Sequence, residues 1–355
     1  MRIAVAMSGG VDSSVAAIML KKLGHTVVGI TINVSIHDNS GKPYPSHHYP
    51  SYILDAKRIA KQYDFMHKVL EVNSDFSNTI VHPFCDEYLR GRTPSPCIIC
   101  NYKIKFKKII DYAKSIGCDG VASGHYARIR ISDKGVYYIS RGLDKEKDQS
   151  YFLFMLSQEI LQEIILPLGE YTKDGIIKMA DSFNLHVAHK PESQEICFVS
   201  DQDYPGFIER IKGIIPPPGD ILDTSGNVIG RHKGIHKYTI GQRRGLGISA
   251  NKPLYVIEID ADKNIIIAGD EEYLYKKGLF ATEINYMKEN SFDDLTAYVK
   301  TRSSQKPFKA SLKESEGGVY VYFEEPQMGV TPGQAAVFYD NRGNIIGGAW
   351  IEKGL

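Results

Sequence analysis

The sequence lacks any apolar run that approaches the roughly 20 residues needed to cross a bilayer. Its first residues, MRIAVAMSGGVDSS, also lack a cationic segment leading into a long apolar stretch and a cleavage site. We therefore expect a cytoplasmic protein with no signal peptide and no membrane partner. Neither sign of charge is in excess, because 43 Lys and Arg residues face 42 Asp and Glu residues. This balance argues against a histone-like binder, although a local basic face would suffice for nucleic acid.

Cysteine is scarce and odd in number, with five residues in a chain of 355. An odd count argues against a disulfide framework and favours reduced thiols that stay available for chemistry. We expect Cys85 and Cys118 to be inert buried thiols, the usual role of a single cysteine. Cys100 and Cys197 instead lie in polar, proline-containing segments, which favours a reactive role.

The first 200 residues alternate between strand-like and helix-like segments. The predicted strands cover residues 2–7, 26–34, 67–72 and 119–123. The predicted helices cover residues 11–23, 53–63 and 100–116. This order predicts an α/β fold with βαβ units and a parallel sheet between helices. The polar stretch 36–50 is expected to form a mobile loop above the carboxyl ends of the strands, where such sheets bind ligands.

The pattern changes after about residue 199. The segment IIPPPGD (residues 214–220) suits a linker, and short alternating runs with close turns follow it. We predict three domains: an α/β domain over residues 1–205, a small β-rich central domain over 206–273, and a C-terminal β-barrel over 274–355.

The strongest motif is SGGVDS (residues 8–13), which joins the first strand to the first helix. Gly9 and Gly10 are expected to adopt positive φ and to let the backbone approach an anion. The amides at the helix start bind phosphate, and Ser8 and Ser13 add hydroxyl donors. Asp12 either holds Mg²⁺ or orients the loop by accepting backbone N–H bonds. The alternative is a Gly-rich turn before an N-capped helix, without a ligand.

This loop resembles the pyrophosphate loop (PP-loop) of the ATP pyrophosphatases, which cleave ATP between the α- and β-phosphates and adenylate a substrate. The resemblance implies ATP with magnesium as the cofactor. Two rival signatures fail: no G-x-x-x-x-G-K-[ST] occurs, and the G-x-G-x-x-A match at residues 245–250 follows no first strand.

A second motif, GRTPSPCIICN (residues 91–101), contains two prolines that hold the chain extended before the next helix. Cys100 then lies near the start of that helix. The helix start, together with Lys103 and Lys105, is expected to lower the pKa of the Cys100 thiol and so to favour the reactive thiolate.

Several further motifs complete a pattern over almost the whole chain. In order, they are the phosphate loop, GRTPSPCIICN, GHYAR (124–128), KDQSYFL (147–153), SQEICF (193–198) and YTIGQRRGLG (238–247). Together they resemble the bacterial tRNA-specific 2-thiouridylases, which modify the wobble uridine of the tRNAs for Lys, Glu and Gln.

The resemblance implies a reaction sequence. ATP adenylates the 2-oxygen of the uridine, and a persulfide on Cys197 attacks the activated ring carbon. Cys100 then attacks the persulfide, which releases the thiolated tRNA and leaves a Cys100–Cys197 disulfide for a reductant to reset. The sulfur donor would be a cysteine desulfurase or a sulfur-relay protein.

The same resemblance implies binding residues. Those for the nucleotide are Ile32 and Gly124, with His125 and Arg128 nearby. Those for the extruded base are Lys147, Asp148, Gln149 and Ser150, and those for the tRNA backbone are Arg243, Arg244 and Arg302. Lys233, Lys237 and His232 extend the basic stretch around Arg243. A core histidine at position 125 and a solvated charged face around Arg243 are the alternatives.

One position departs from a common pattern, because many relatives carry Asp where this chain has Cys97. The substitution opens the alternative that Cys97, Cys100 and Cys197 hold an iron–sulfur cluster with an open iron. A zinc site would need a fourth ligand, for example a histidine of the 36–50 loop. Two other function classes compete: a different adenylating ligase, which needs no cysteine pair, and a non-catalytic tRNA- or nucleotide-binding protein.

Overall fold

The computed structural model describes residues 1–34, 36–37, 43–44, 51–191, 196–199, 203–250 and 252–355. The strands of the N-terminal part are β1 (Arg2–Ala6), β2 (Thr26–Asn33), β3 (Ile36–His37), β4 (Pro43–Tyr44), β5 (Met66–Glu71), β6 (Gly120–Ser123), β7 (Ala127–Ile131), β8 (Tyr137–Arg141) and β9 (Ile164–Ile165). Most of the predicted 36–50 loop lies outside the described residues.

Helices connect these strands. They are α1 (Val11–Lys22), α2 (Ser51–Gln62), α3 (Asn73–Phe76), α4 (His82–Leu89), α5 (Pro96–Ile99), α6 (Lys107–Ser115), α7 (Gln158–Glu163), α8 (Lys173–Ser182) and α9 (Tyr204–Lys212). Wider π-helical turns join α3 to α4 over Ser77–Val81 and α5 to α6 over Cys100–Phe106.

The main sheet is parallel, with the strand order β5-β2-β1-β6-β9. The order reverses at β1, whose neighbours are β2 on one side and β6 on the other. Ligands of such sheets bind outside the carboxyl ends of the strands at this switch point. The chain that leaves β1 is the predicted phosphate loop, so the topology puts that loop at the expected ligand position.

Alternation along β1 explains why both faces of the sheet are covered. Ile3 and Val5 face an apolar cluster that includes residues of α1, whereas Ala4 faces a second cluster with Phe106 and Ile109. A parallel sheet buried on both faces reads in sequence as a continuous apolar run, as β1 does.

The central domain contains β10 (Gly219–Leu222), β11 (Val228–His232), β12 (Tyr255–Asp260) and β13 (Ile265–Gly269), in the order β11-β10-β13-β12. The C-terminal strands are β14 (Tyr275–Tyr286), β15 (Leu295–Lys300), β16 (Phe308–Ser315), β17 (Gly318–Met328), β18 (Ala335–Tyr339) and β19 (Ile345–Gly354). They close into a barrel in the order β14-β17-β16-β15-β18-β19. The predicted fold class is confirmed.

Strand β18 ties the barrel to the N-terminal domain. Ala336 and Phe338 point into the barrel core, whereas Val337 and Tyr339 join the cluster that contains Phe106. Both faces of β18 are therefore buried, which is why all five of its residues are apolar or aromatic. Among the described residues, no helix combines the length and apolar character that crossing a membrane requires.

Candidate active site

The phosphate loop is held by one left-handed glycine. Gly9 has a φ of +69°, and a Cβ atom there would lie 2.1 Å from the carbonyl oxygen of Tyr52 at the start of α2. Gly10 differs from the prediction: its φ is −93° and its backbone is extended, because it is the N-cap of α1. Of these two glycines, only Gly9 therefore has a backbone conformation that requires glycine.

The hydroxyl groups of the loop bind its own backbone. Ser13 Oγ accepts from the Ser8 amide at 3.1 Å, and Ser14 Oγ donates to the Gly10 carbonyl at 2.7 Å. These bonds fix the turn, while the first amides of α1 have no acceptor within the helix. The arrangement suits a fixed cradle of N–H groups at the positive end of a helix dipole.

Asp12 is bound by side chains from distant parts of the chain. Its carboxylate accepts from Lys173 Nζ at 2.8 and 2.9 Å, and from the Tyr126 hydroxyl at 2.6 Å. The sequence offered magnesium or backbone N–H groups as partners, and the structure instead gives a partly buried ion pair. Asp12 thus links the loop to α8 and to the segment that follows β6.

The end of β6 touches the start of α1. A Cβ atom on Gly124 would lie 2.8 Å from the Asp12 carbonyl carbon and from the Ser13 amide nitrogen. His125 is buried, its Nδ1 lies 2.8 Å from Ser123 Oγ, and burial lowers its pKa well below the usual value. Its ring packs on Phe106, with ring centres 5.6 Å apart, so β6 carries the loop toward the cysteine-bearing helix.

Cys97 and Cys100 belong to this helical run and Cys197 lies near it, and we call these three residues the thiol cluster. Cys97 and Cys197 are exposed residues and Cys100 is half-buried. Burial is the main cause that raises the pKa of Cys100 and of Cys197, and charge on the other thiols adds to it, so the three thiols lie within electrostatic range of one another. Cys100 and Ile196 also pack on the same apolar cluster, which Ile32 at the end of β2 joins.

The prediction of a lowered Cys100 pKa is wrong for this conformation. Burial raises the pKa of the Cys100 thiol to about 12, although the Lys105 ammonium acts in the opposite direction. The helical run begins at Pro96, earlier than predicted, so Cys97 lies in the first turn and Cys100 lies beyond it. Lys103 is exposed and has no part in the shift.

Burial also raises the pKa of the other two thiols, even though both residues reach solvent. The two observations agree if each residue has a solvent-exposed side while protein atoms crowd its sulfur. The Lys105 ammonium opposes the effect of burial on the pKa of all three thiols, although burial outweighs it. Lys105 is therefore the cation shared by the thiol cluster.

The segment predicted to bind the base has two buried members, Asp148 and Ser150. The Asp148 carboxylate accepts from Arg141 Nε at 2.9 Å, from the Gly142 amide at 3.1 Å, and from Ser150. Gln149 is half-buried and its Oε1 accepts from the Tyr126 amide at 3.0 Å. Lys147 is half-buried as well. Contacts of this segment with a base remain a prediction.

The predicted basic residues divide into surface and interior positions. Arg243 and Arg244 are exposed on a loop of the central domain. Arg302 is half-buried and donates to Thr331 Oγ1 at 2.8 Å. It lines a cavity of about 350 Å³ between all three domains, with Thr93, Thr239, Gln242 and Gln334. His232 is buried and bonded to the Asn264 carbonyl, so its predicted place in the basic stretch is wrong.

Within the described ranges, no three His, Cys, Asp or Glu side chains are arranged to hold a metal ion. The thiol cluster therefore does not present a metal site in this conformation. The structure does not describe residues 45–50, which include His47 and His48, or residues 192–195, which include Glu192 and Glu195.

Sequence reasoning missed three side chains of the site. Lys173 and Tyr126 bind Asp12 from 161 and 114 residues away, and no local pattern signals such distant partners. Tyr52 backs Gly9 through its carbonyl group, and the charge of Cys197 contributes to raising the pKa of its phenol after burial. Tyr52 thus contacts the phosphate loop through its backbone and lies within electrostatic range of Cys197.

The fold and the loop at its switch point define a class: a nucleotide-binding α/β domain joined to a small β-rich domain and a β-barrel. Residues 1–201 match the family model described as tRNA methyl transferase HUP domain. Residues 206–270 match the tRNA methyl transferase PRC-barrel domain, and residues 276–351 match the aminomethyltransferase beta-barrel domain.

Similar proteins narrow this class. The tRNA-specific 2-thiouridylase MnmA of Geobacter metallireducens is 42% identical, over 100% of this chain and 97% of that protein. The enzyme of the same name from Clostridioides difficile is 40% identical, over 100% of this chain and 99% of that protein. The chain belongs to the tRNA-specific 2-thiouridylase family.

A distant similarity to a solved structure was also found. A 4-thiouridine synthetase–RNA complex with bound ATP matches with a TM-score of 0.38 and 16% identity, over 56% of this chain and 44% of that one. We draw nothing further from that likeness.

Proposed function

We propose that this protein is an ATP-dependent tRNA-uridine 2-sulfurtransferase that converts the wobble uridine of tRNA to 2-thiouridine. Its relatives at 40–42% identity over the full chain carry that name. The tRNAs for Lys, Glu and Gln are the proposed substrates, and a cysteine desulfurase or a sulfur-relay protein is the proposed donor.

One observation carries the proposal: the phosphate loop follows the carboxyl end of β1, and Ile32 at the same end of the neighbouring β2 packs on the apolar cluster that Cys100 joins. Asp12 contacts Tyr126, the neighbouring His125 packs on Phe106, and Phe106 belongs to the helical run that begins beside Cys97. An activated base held at this edge would be within reach of both chemistries.

Adenylation is the first proposed step, because a carbonyl oxygen of a uracil ring is a poor leaving group. The α-phosphate would be attacked by the 2-oxygen while the amides of α1 hold the departing pyrophosphate. Lys173 would fix the loop through Asp12. The adenylated oxygen then leaves as AMP when sulfur attacks the ring carbon.

Sulfur transfer is the second proposed step. A persulfide on Cys197 attacks the ring carbon, and Cys100 attacks the inner sulfur of that persulfide to release 2-thiouridine. Because burial raises the pKa of Cys100, Lys105 is the group that would stabilise its thiolate and the anionic persulfide. Substrate binding that admits water to the thiol would favour the thiolate further, because it would weaken the burial that raises the pKa.

The residues present do not form a resident metal site. Asp12 is engaged by Lys173 and Tyr126, so magnesium would enter with the phosphates of ATP as part of the substrate. The three thiols likewise lack the arrangement of a metal site within the described residues. The proposed steps therefore use the thiols without an iron–sulfur cluster.

The proposed tRNA surface runs from the thiol cluster to the central domain. The exposed Arg243 and Arg244 would bind phosphates, and Arg302 would bind an anion at the junction of the three domains. Lys147 and Gln149 would adjoin the extruded base, while the Asp148 carboxylate holds their segment in place.

The test is reconstitution with ATP, unmodified tRNA and a persulfide donor, with pyrophosphate and 2-thiouridine measured separately. Cys100→Ser and Cys197→Ser should each release pyrophosphate only with tRNA and form no 2-thiouridine. Cys118→Ser, which changes a buried thiol elsewhere, is the matched control and should thiolate normally. Thiolation by Cys100→Ser or Cys197→Ser would overturn the assignment of these two thiols to sulfur transfer. If either variant failed to release pyrophosphate, the proposed order, in which adenylation comes before sulfur transfer, would be wrong.

A further inference from the structure

The proposed reaction uses two thiols of the thiol cluster and leaves Cys97 without a task. We propose that Cys97 is a resolving thiol, which attacks Cys100 in the Cys100–Cys197 disulfide and frees Cys197 for the next sulfur atom. The inference rests on the proposed function, because the disulfide on which Cys97 acts is the product of that reaction.

The helix gives Cys97 and Cys100 the spacing of a redox pair. They lie three residues apart in one helical run that starts at Pro96. Side chains with this spacing are neighbours, with Cβ atoms about 5–6 Å apart, and a disulfide needs about 3.5–4.5 Å. The first turn can tighten to close this gap, because its amides have no helical acceptor and Pro96 has no N–H.

Exposure orders the three thiols. Cys100 is half-buried, whereas Cys97 and Cys197 both reach solvent. Cys100 packs on the apolar cluster that also receives Ile196, the neighbour of Cys197. Cys100 is therefore the inner sulfur, with an outer thiol on its own helix and another on the 196–199 segment.

The exchange balances without an added oxidant. The Cys97 thiolate attacks Sγ of Cys100, the Cys97–Cys100 bond forms, the Cys100–Cys197 bond breaks, and Cys197 leaves as a thiolate that takes a proton from water. The number of disulfides stays at one. An external dithiol then reduces the Cys97–Cys100 bond by attack on the sulfur of Cys97, whose residue reaches solvent whereas Cys100 is half-buried, and the dithiol is oxidised.

The exchange separates sulfur loading from reduction. While the disulfide joins Cys100 to Cys197, the acceptor for the next persulfide sulfur is blocked. Once the disulfide has moved to Cys97 and Cys100, Cys197 is free and exposed, so the donor can load it before the reductant arrives.

The experiment is a single turnover followed by disulfide mapping. Wild-type enzyme carrying one persulfide reacts with ATP and excess tRNA in the absence of reductant. The sample is quenched in acid, free thiols are alkylated, and peptides are separated without reduction for mass spectrometry. The tRNA from the same tube is digested for 2-thiouridine.

The expected result is a Cys97–Cys100 disulfide with alkylated Cys197 in the fraction of enzyme that formed 2-thiouridine. Cys97→Ser should retain the disulfide between Cys100 and Cys197, and its multiple-turnover rate at limiting dithiol should fall several-fold. Cys118→Ser should give the wild-type map and rate.

A wild-type map that shows only Cys100 joined to Cys197, with alkylated Cys97, would overturn the exchange even if Cys97→Ser failed to fold. That outcome, with 2-thiouridine present, leaves the proposed function intact. No 2-thiouridine in the wild-type tube would instead refute the proposed function itself.

Discussion

Replacing Gly9 by alanine should distort the phosphate loop and weaken ATP binding. Gly9 has a φ of +69°, and its added Cβ would stand 2.1 Å from the Tyr52 carbonyl oxygen, far inside contact distance. A left-handed backbone costs a residue with a Cβ about 1–2 kcal/mol, and forcing an atom into packed structure costs about 1–3 kcal/mol more. The total penalty is about 2–5 kcal/mol.

Part of this penalty appears as lost affinity. The free variant will relax into a different turn, so ATP binding must restore the native loop and oppose the penalty. Each 1.4 kcal/mol is tenfold in affinity, so the smaller total already predicts a loss of about 30-fold. Calorimetric titration with ATP measures this loss of affinity directly. The tRNA is left out so that no turnover occurs.

Gly135→Ala is the matched control. Gly135 has a φ of +76° in the β7–β8 turn, and nothing lies within 4 Å of the added Cβ. It should carry only the backbone strain and bind ATP like the wild type. If Gly9→Ala, folded by circular dichroism, bound ATP as tightly as Gly135→Ala, the role of the loop as a rigid cradle would be refuted.

Three other predictions concern charge and packing. Burial raises the pKa of Cys100 to about 12, so the single-turnover thiolation rate should rise about tenfold per pH unit between about pH 7 and pH 9. Lys105→Met should lower this rate at each pH. A rate that does not change with pH would show that the Cys100 thiol does not limit the reaction. Lys173→Met removes the cation beside the half-buried Asp12 carboxylate, to which the Tyr126 hydroxyl still donates. The change should cost about 1.5–3 kcal/mol of stability in urea unfolding, together with most of the tRNA-dependent pyrophosphate release. Unchanged release would show that the ion pair does not fix the loop. Tyr151→Phe removes the hydroxyl that binds the amide and carbonyl groups of Ala335 in β18, and should destabilise the docked barrel by about 1–3 kcal/mol. Unfolding can be measured by the fluorescence of the single tryptophan, Trp350, which lies at this interface. An unchanged unfolding midpoint would contradict a role of Tyr151 in docking the barrel.

Local signals made the general fold predictable. Apolar runs alternating with helical spacing gave the βαβ order, and a glycine loop after the first strand marked the switch point of the sheet. The barrel was predicted from short alternating strands. The barrel's docking was not, since Tyr151 and β18 are separated by 184 residues and no local pattern pairs them.

The site was predicted less completely, for three physical reasons. Gly10 turned out to be an extended N-cap, because a Gly-Gly pair does not reveal which residue takes the left-handed conformation. The pKa of Cys100 depends on burial, which outweighs Lys105 and is invisible in a polar sequence segment. The partners of Asp12 come from elements far along the chain.

The most direct test of the account follows the oxygen that leaves the base. A tRNA carrying ¹⁸O at position 2 of the wobble uridine is thiolated with ATP in ordinary water, and the AMP is examined by mass spectrometry. Adenylation of that oxygen at the phosphate loop predicts one ¹⁸O atom in AMP for each 2-thiouridine formed. Unlabelled AMP alongside 2-thiouridine would contradict the central claim, because the oxygen would then have left the ring without passing through the phosphate.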